Sequence, residues 1–225
     1  MKLILTGGGD SEHFKKIDQK FIAMISDNPT LLYIPLAQDK HLWADGLSRI
    51  KSVFSTINFE SIALCKNLKS LNWDVLKNYG GIYIDGGNTF KLMAAIRHTH
   101  MYELLHRFLH NGGVINGDSA GAIILGSHLE TAHMGDYGDI NESNIISYQG
   151  LNLIGKYAIH AHYETQHDIE LHHFSQCYGF PIICLYEEAG ICIENNKIQP
   201  IGKKAALIIS GATKKKLNVG DIFEI

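Results

Sequence analysis

Ser119 stands in the run Asn116-Gly117-Asp118-Ser119-Ala120-Gly121-Ala122, where the short apolar segment Val114-Ile115 leads into a helix that opens on small residues. A serine flanked two residues either side by glycine fits a nucleophile elbow. There a sharp strand-to-helix turn lifts the hydroxyl out of the sheet, and only glycine tolerates the close backbone approach. The Ala120 N–H would then face the oxygen that becomes negative when an acyl group is attacked, helped by the positive end of the helix. The same residues also suit a plain strand-to-helix turn with a capping serine, so the partners decide.

A serine nucleophile needs a base, and the base needs an acid that fixes its tautomer. In Tyr157-Ala158-Ile159-His160-Ala161-His162-Tyr163, strand alternation puts His160 and His162 on one face, one free for catalysis and the other packed beside it. Acids occur at Asp136, in the polar, glycine-rich excursion from Ser127 to Gly150, and at Glu187 and Glu188, in the turn after the apolar run Pro181 to Tyr186. A solvated turn is the plain alternative for the glutamate pair. A rival chemistry uses His160, His162, His167, His172 and His173 with Asp168 or Glu170 to hold zinc. Their spacing matches no closed structural site and H-E-x-x-H is absent, so no metal and no cofactor is expected.

These residues need a scaffold that gathers them. Apolar strand-like runs at Lys2 to Thr6, Leu31 to Leu36, Phe59 to Leu64, Gly81 to Ile84 and Val114-Ile115 alternate with stretches of helical spacing. The helical stretches are Glu12 to Ser26, with Phe14, Ile17, Phe21 and Met24 on one face, the segment around Leu42, Leu47, Ile50 and Phe54, Phe90 to Arg97, and Tyr102 to Leu109. Near-continuous apolar strands separated by helices predict an α/β three-layer sandwich, a mostly parallel central sheet flanked by helices. Working residues of such sheets collect at the carboxyl ends of the strands, where Gly7-Gly8-Gly9, Gly86-Gly87-Asn88 and Asp118-Ser119 all fall. Gly7-Gly8-Gly9 lacks both the G-x-G-x-x-G spacing and a phosphate-loop lysine, so a tight turn beside the site is expected in place of a nucleotide loop. The excursion from Ser127 to Gly150 follows the nucleophile helix and is placed to wall a substrate pocket. Ile191 to Ile193 is expected to pair with the Pro181 strand as a hairpin. Lys214-Lys215-Lys216 reads as a solvated turn, and the chain from Lys197 onward as structural.

Bulk composition narrows the classes. With 225 residues, 45% hydrophobic and 19% charged, the chain can bury a sizeable core and is most simply one domain. A net charge of −3 argues against a basic footprint for nucleic acid or an anionic membrane surface. No apolar run reaches membrane-spanning length, and Met1 to Thr6 is too short for a secretory apolar region. The four cysteines (Cys65, Cys177, Cys184, Cys192) show no C-x-x-C spacing, which fits a reducing cytoplasm.

Gly117-Asp118-Ser119-Ala120-Gly121-Ala122, preceded by Tyr83-Ile84-Asp85-Gly86-Gly87-Asn88-Thr89 and followed by Ala161-His162-Tyr163, resembles the serine peptidase family of aspartyl dipeptidase (dipeptidase E) and cyanophycinase. The three motifs come in that family's order and cover the middle of the chain. The resemblance implies a class I glutamine amidotransferase-like fold and hydrolysis of short peptides, with dipeptides bearing N-terminal aspartate as one substrate class. It implies that Gly87 supplies an oxyanion donor beside Ala120 and that His162, followed by an aromatic residue, is the base. It places the acid at Glu187, with Glu188 one residue off and Asp136 as the alternative in the loop. His160 and Ala161 depart from the family pattern, which often has another polar residue and a proline there. An acidic substrate side chain needs a cation, and Arg49, Arg97 and Arg107 all lie on expected helices. The other function class on the same fold is a non-catalytic small-ligand or histidine-cluster metal protein.

Overall fold

A computed structural model describes residues 1–9, 11–55, 61–136 and 138–224, the side chains of residues 11–14 excepted. The side chain of Phe14, Phe59 at the head of the third expected strand, Tyr137 in the loop and the terminal Ile225 lie outside the described residues. In chain order the elements are β1 (Lys2–Thr6), α1 (Ser11–Met24), β2 (Thr30–Ile34), α2 (Trp43–Phe54), β3 (Ser61–Leu64), α3 (Trp73–Leu76) and β4 (Gly81–Ile84). They continue with α4 (Thr89–Arg97), α5 (Met101–His110), β5 (Val114–Asp118), α6 (Ala120–Leu125), β6 (Ala158–His160), α7 (Asp168–Tyr178) and β7 (Ile182–Cys184). The chain closes with β8 (Ala189–Glu194), β9 (Lys197–Gly202), β10 (Ala206–Ser210), β11 (Thr213–Leu217) and β12 (Phe223–Glu224).

The main sheet runs β12-β9-β8-β1-β5-β4-β2-β3. From β1 through β5, β4 and β2 to β3 every pairing is parallel, and β8, β9 and β12 extend it with antiparallel pairings. Both faces of the parallel part are apolar, because alternate side chains serve two cores. Leu3, Leu5, Leu32, Ile34, Ile82 and Ile84 pack with α4, α5 and α6. Ile4, Leu31, Tyr33 and Tyr83 pack on the other face against Ile17, Phe21, Ile50 and Phe54 of α1 and α2. This is the helix-covered, mostly parallel sheet that the spacing predicts.

A second sheet, β11-β10-β7-β6, is not evident in the sequence pattern. It covers its own core, in which Leu171 and Phe174 of α7 meet Ile182, Cys184, Leu207 and Ile209. Two expectations fail here. The expected hairpin does not form: β7 pairs with β6 and β10, while β8 pairs with β1 and β9, so the turn at Glu187-Glu188 carries the chain from one sheet to the other. Lys214 to Lys216 is no turn but lies in β11, the edge strand of the second sheet, where lysines blunt an open edge. Lys214 reaches inward, its ammonium bound to Asp168 (2.6 Å) and to the Tyr163 hydroxyl (2.7 Å).

Candidate active site

The end of β1 gathers the site. Ser119 N–H donates to the Thr6 carbonyl (3.1 Å), and His162 N–H to the Gly7 carbonyl next to it (2.8 Å). Gly7 N–H in turn donates to Ala189 O (3.1 Å), just past the Glu187-Glu188 turn. A side chain at Gly7 would collide with the Leu185 and Tyr186 carbonyls, and one at Gly8, itself at φ +86°, with the His162 ring. The glycine run is thus the tight turn expected from its spacing, and the room a phosphate would need is filled by imidazole.

Ser119 has φ +47°, a left-handed conformation costly for a residue with a Cβ, on the order of 1–3 kcal/mol. Gly117 and Gly121 make that turn possible: a Cβ at Gly117 would meet the Gly121 carbonyl at 2.6 Å, and one at Gly121 would strike the Ile84 carbonyl. The hydroxyl so presented lies 2.8 Å from His162 Nε2. His162 Nδ1 lies 3.0 Å from Glu187 Oε1. Neutral His162 therefore carries its proton on Nδ1, toward the carboxylate, and presents a lone pair to Ser119. Beside Ser119, Gly87 lines the pocket at φ +131°. Neither Gly87 N–H nor Ala120 N–H has a hydrogen-bond partner among the described residues.

The other acids go elsewhere. Glu188, at φ +70°, faces Lys204 (3.4 Å) and Lys203 (3.7 Å). Asp136 is exposed and accepts a hydrogen bond from Gln166. Of the three candidates, only Glu187 meets His162.

His160 and His162 do not share a face. The strand ends at His160, and His162 follows at φ +50°, which swings its ring to Ser119. His160 is buried, with Nδ1 3.1 Å from the Thr131 carbonyl and Nε2 3.0 Å from His167 Nδ1; burial pulls its pKa down to about 4. The remaining histidines disperse. His172 donates to the Gly211 carbonyl (2.7 Å), His173 lies against Cys177 on α7, Asp168 pairs with Lys214, and Glu170 accepts from Gly135 N–H (3.3 Å). Of the residues of the zinc reading, His160 and His167 contact each other, and the rest serve separate contacts.

Next to Ser119 and His162 is a pocket of about 280 Å³. Ile123, Ala132 and Met134 form apolar walls, and Thr131, Asp139 and His167 are polar. Much of this wall comes from the Ser127 to Gly150 excursion, which is pinned down. Asp139 Oδ2 accepts the Thr89 N–H at the start of α4 (2.8 Å), Asn88 Nδ2 donates to Ile140 O (2.9 Å), and His133 stacks on Phe90 at 4.4 Å. Burial raises the Asp139 pKa. Buried His167 lines this pocket, and its Nε2 has no hydrogen-bond partner among the described residues. Spacing could not place Asp139 or His167 at the pocket: Asp139 belongs to no motif, His167 entered only the zinc reading, and each reaches Ser119 through the fold, Asp139 on the Ser127 to Gly150 excursion and His167 on the short turn after β6. None of the three arginines lines it. Arg49 is bound to Asp85, Arg97 donates to the Ser147 (2.5 Å) and Gln149 (2.9 Å) carbonyls, and Arg107 lies over Trp73.

The helix-flanked sheet, with its serine on the β5-to-α6 turn, is a class I glutamine amidotransferase-like fold. A crystal structure of a peptidase from an acI-B1 Actinobacterium shares it, with a TM-score of 0.75 at 18% identity over 100% of this chain and 96% of that one. The chain belongs to peptidase family S51, whose family model matches residues 3–201. It is also similar to Peptidase E of Nostoc sp. (strain PCC 7120 / SAG 25.82 / UTEX 2576), at 27% identity over 133 residues. That match takes in 59% of this chain and 52% of the relative, so the chain spans about half the length of the curated relative. Among the described residues no helix is long and apolar enough to cross a membrane.

Proposed function

We propose that the chain is a serine-type peptidase of short peptides that acts by acyl transfer. One observation carries the reading: an unbroken line from Ser119 Oγ through His162 (2.8 Å) to Glu187 (3.0 Å), beside two amides, Gly87 and Ala120, that have no partner among the described residues. Ser119 attacks the scissile carbonyl while His162 Nε2 takes its proton, and Glu187 holds the Nδ1 proton and stabilises the imidazolium. The carbonyl oxygen, now negative, is received by the Gly87 and Ala120 N–H groups, with the start of α6 behind Ala120. His162 then protonates the leaving amine. Water, activated by the same imidazole, releases the acyl group and restores Ser119.

The acid is tested by three variants. Glu187→Gln is expected to retain the melting temperature and lose about ten-thousand-fold in turnover, because an amide can favour the wrong tautomer. Asp136→Asn and Glu188→Gln should stay within a few-fold of the parent. A damaging Asp136→Asn with a silent Glu187→Gln would move the acid into the loop.

The pocket, at about 280 Å³, falls just under the range for ligand sites, about 300–1,000 Å³, which suits one residue on the acyl side of the cut bond. Asp139 offers that residue's free amino group a carboxylate. N-terminal aspartate is the finer substrate reading. Its side chain would have to meet an imidazole, because the basic residues lining the pocket are His162 and His167. The test is hydrolysis of dipeptides beginning with Asp, Glu, Asn, Leu or Lys, their N-acetyl forms, a β-Asp-Arg dipeptide and casein. Turnover of Asp-X with rejection of casein supports the dipeptidase reading. Cleavage of β-Asp-Arg alone favours the cyanophycinase branch, and degradation of casein would show that the pocket does not restrict length.

A further inference from the structure

Asp85, which follows β4 and precedes the Gly86-Gly87 loop, is 1% exposed yet does not line the pocket. Its Oδ1 accepts from Arg49 Nη2 (2.9 Å) and from Gly86 N–H (3.0 Å). Its Oδ2 accepts from Gln38 Nε2 (2.9 Å) and from the Tyr33 hydroxyl. Four donors on two oxygens fill a carboxylate's capacity. They come from β2, the segment after it, α2 and the loop itself, so several elements converge on one side chain. Burial pushes the Tyr33 hydroxyl well above its usual pKa, which keeps it a donor.

What this network holds is the stretch that contains Gly87. Upstream, Asp85 fixes the Gly86 N–H; downstream, Asn88 N–H donates to the Ala37 carbonyl (3.0 Å). Between those bonds, Gly87 keeps φ +131°, and a side chain there would collide with Ala37 O. A Cβ on Gly86 would come within 3.2 Å of Ser119 Cβ, so the loop lies directly on the nucleophile. A buried ion pair is weak evidence for stability, since an apolar replacement is often neutral or stabilising. At an oxyanion donor, by contrast, a shift of about 1 Å costs rate steeply.

We propose that Asp85, through its donors Arg49, Tyr33 and Gln38, is a positioning residue that aims the Gly87 N–H at the oxyanion. It acts on the transition state through the loop and touches no substrate atom. The inference rests on the reading of Gly87 under the proposed function.

The experiment compares the wild type with Tyr33→Phe, Gln38→Met and Asp85→Asn, using the Asp and Ala p-nitroanilides as substrates and the matching amino aldehydes as inhibitors. An aldehyde adds to Ser119, and its hemiacetal oxygen occupies the oxyanion position. Tyr33→Phe and Gln38→Met keep the charges and should each lower kcat about tenfold with KM within about twofold, each losing one hydrogen bond to a charged group. Asp85→Asn should lower kcat by about 10²–10³, the effect of losing one oxyanion donor. Aldehyde affinity should fall by the same factor as kcat in each variant. If Asp85→Asn does not fold, the two neutral variants carry the test. Lowered melting temperatures with an unchanged ratio of aldehyde to substrate affinity would overturn the positioning role. In the same samples, fluorophosphonate labelling of wild-type Ser119 separates the two failures. Labelling with an unchanged ratio sinks this inference alone, and no labelling sinks it together with the function it rests on.

Discussion

Ser119→Ala is expected to fold as the parent does and to hydrolyse peptides about a million-fold more slowly, the typical cost of removing the nucleophile from a triad that acts as a unit. The fold should survive because the Ser119 backbone bond to Thr6 does not use the hydroxyl, and alanine meets the same left-handed turn that serine does. Among the described residues, the hydroxyl's hydrogen bond that is lost is the one to His162. Turnover and melting temperature measured on one preparation check both halves. Turnover within tenfold of the parent would rule Ser119 out as the nucleophile.

His162→Ala should match that loss, whereas His160→Ala should keep turnover within about tenfold and lose stability instead. The histidines are two residues apart but do different work. His162 faces Ser119 and Glu187, whereas His160 is buried between the Thr131 carbonyl and His167. Removing His160 leaves buried polar partners unmet, at about 1–3 kcal/mol. Its pKa is near 4 when folded and about 6.5 when unfolded, so between those values the unfolded chain binds more protons and stability falls as pH drops. The His160 contribution is whole above about pH 6.5 and lost toward pH 4. Burial raises Asp18 to about 7 and Asp118 to about 6, and these groups act in the opposite sense. The readout is therefore the difference between the variant and its parent, in which the shared groups cancel: the stability deficit of His160→Ala should shrink as pH falls from 7 to 4. Equal activity losses at the two histidines would reverse the assignment.

The parts of this site that sequence could disclose are those set by local rules. Two glycines around Ser119 require a turn only they allow, and apolar runs alternating with helical spacing require a covered parallel sheet. The rest depends on contacts between distant segments. Alternation fails at His162 because Gly7 O and the room left by Gly8 capture the residue after the strand has ended. The hairpin fails because β7 is taken on its two edges by β6 and β10, and β8 by β1 on one edge and on the other by β9, which follows it across the Asn195-Asn196 turn. Glu187 and Glu188 are chemically alike, and only the φ of +70° at Glu188 turns that residue to the lysines. Arg49, a candidate for an acidic substrate, is instead committed to Asp85, a partner 36 positions away.

The most direct test of the central claim is mass-spectrometric mapping of a fluorophosphonate adduct. The proposed mechanism requires one adduct, on Ser119, absent from Ser119→Ala and formed far more slowly in His162→Ala. An unlabelled Ser119, or labelling at the parent's rate without His162, would contradict it.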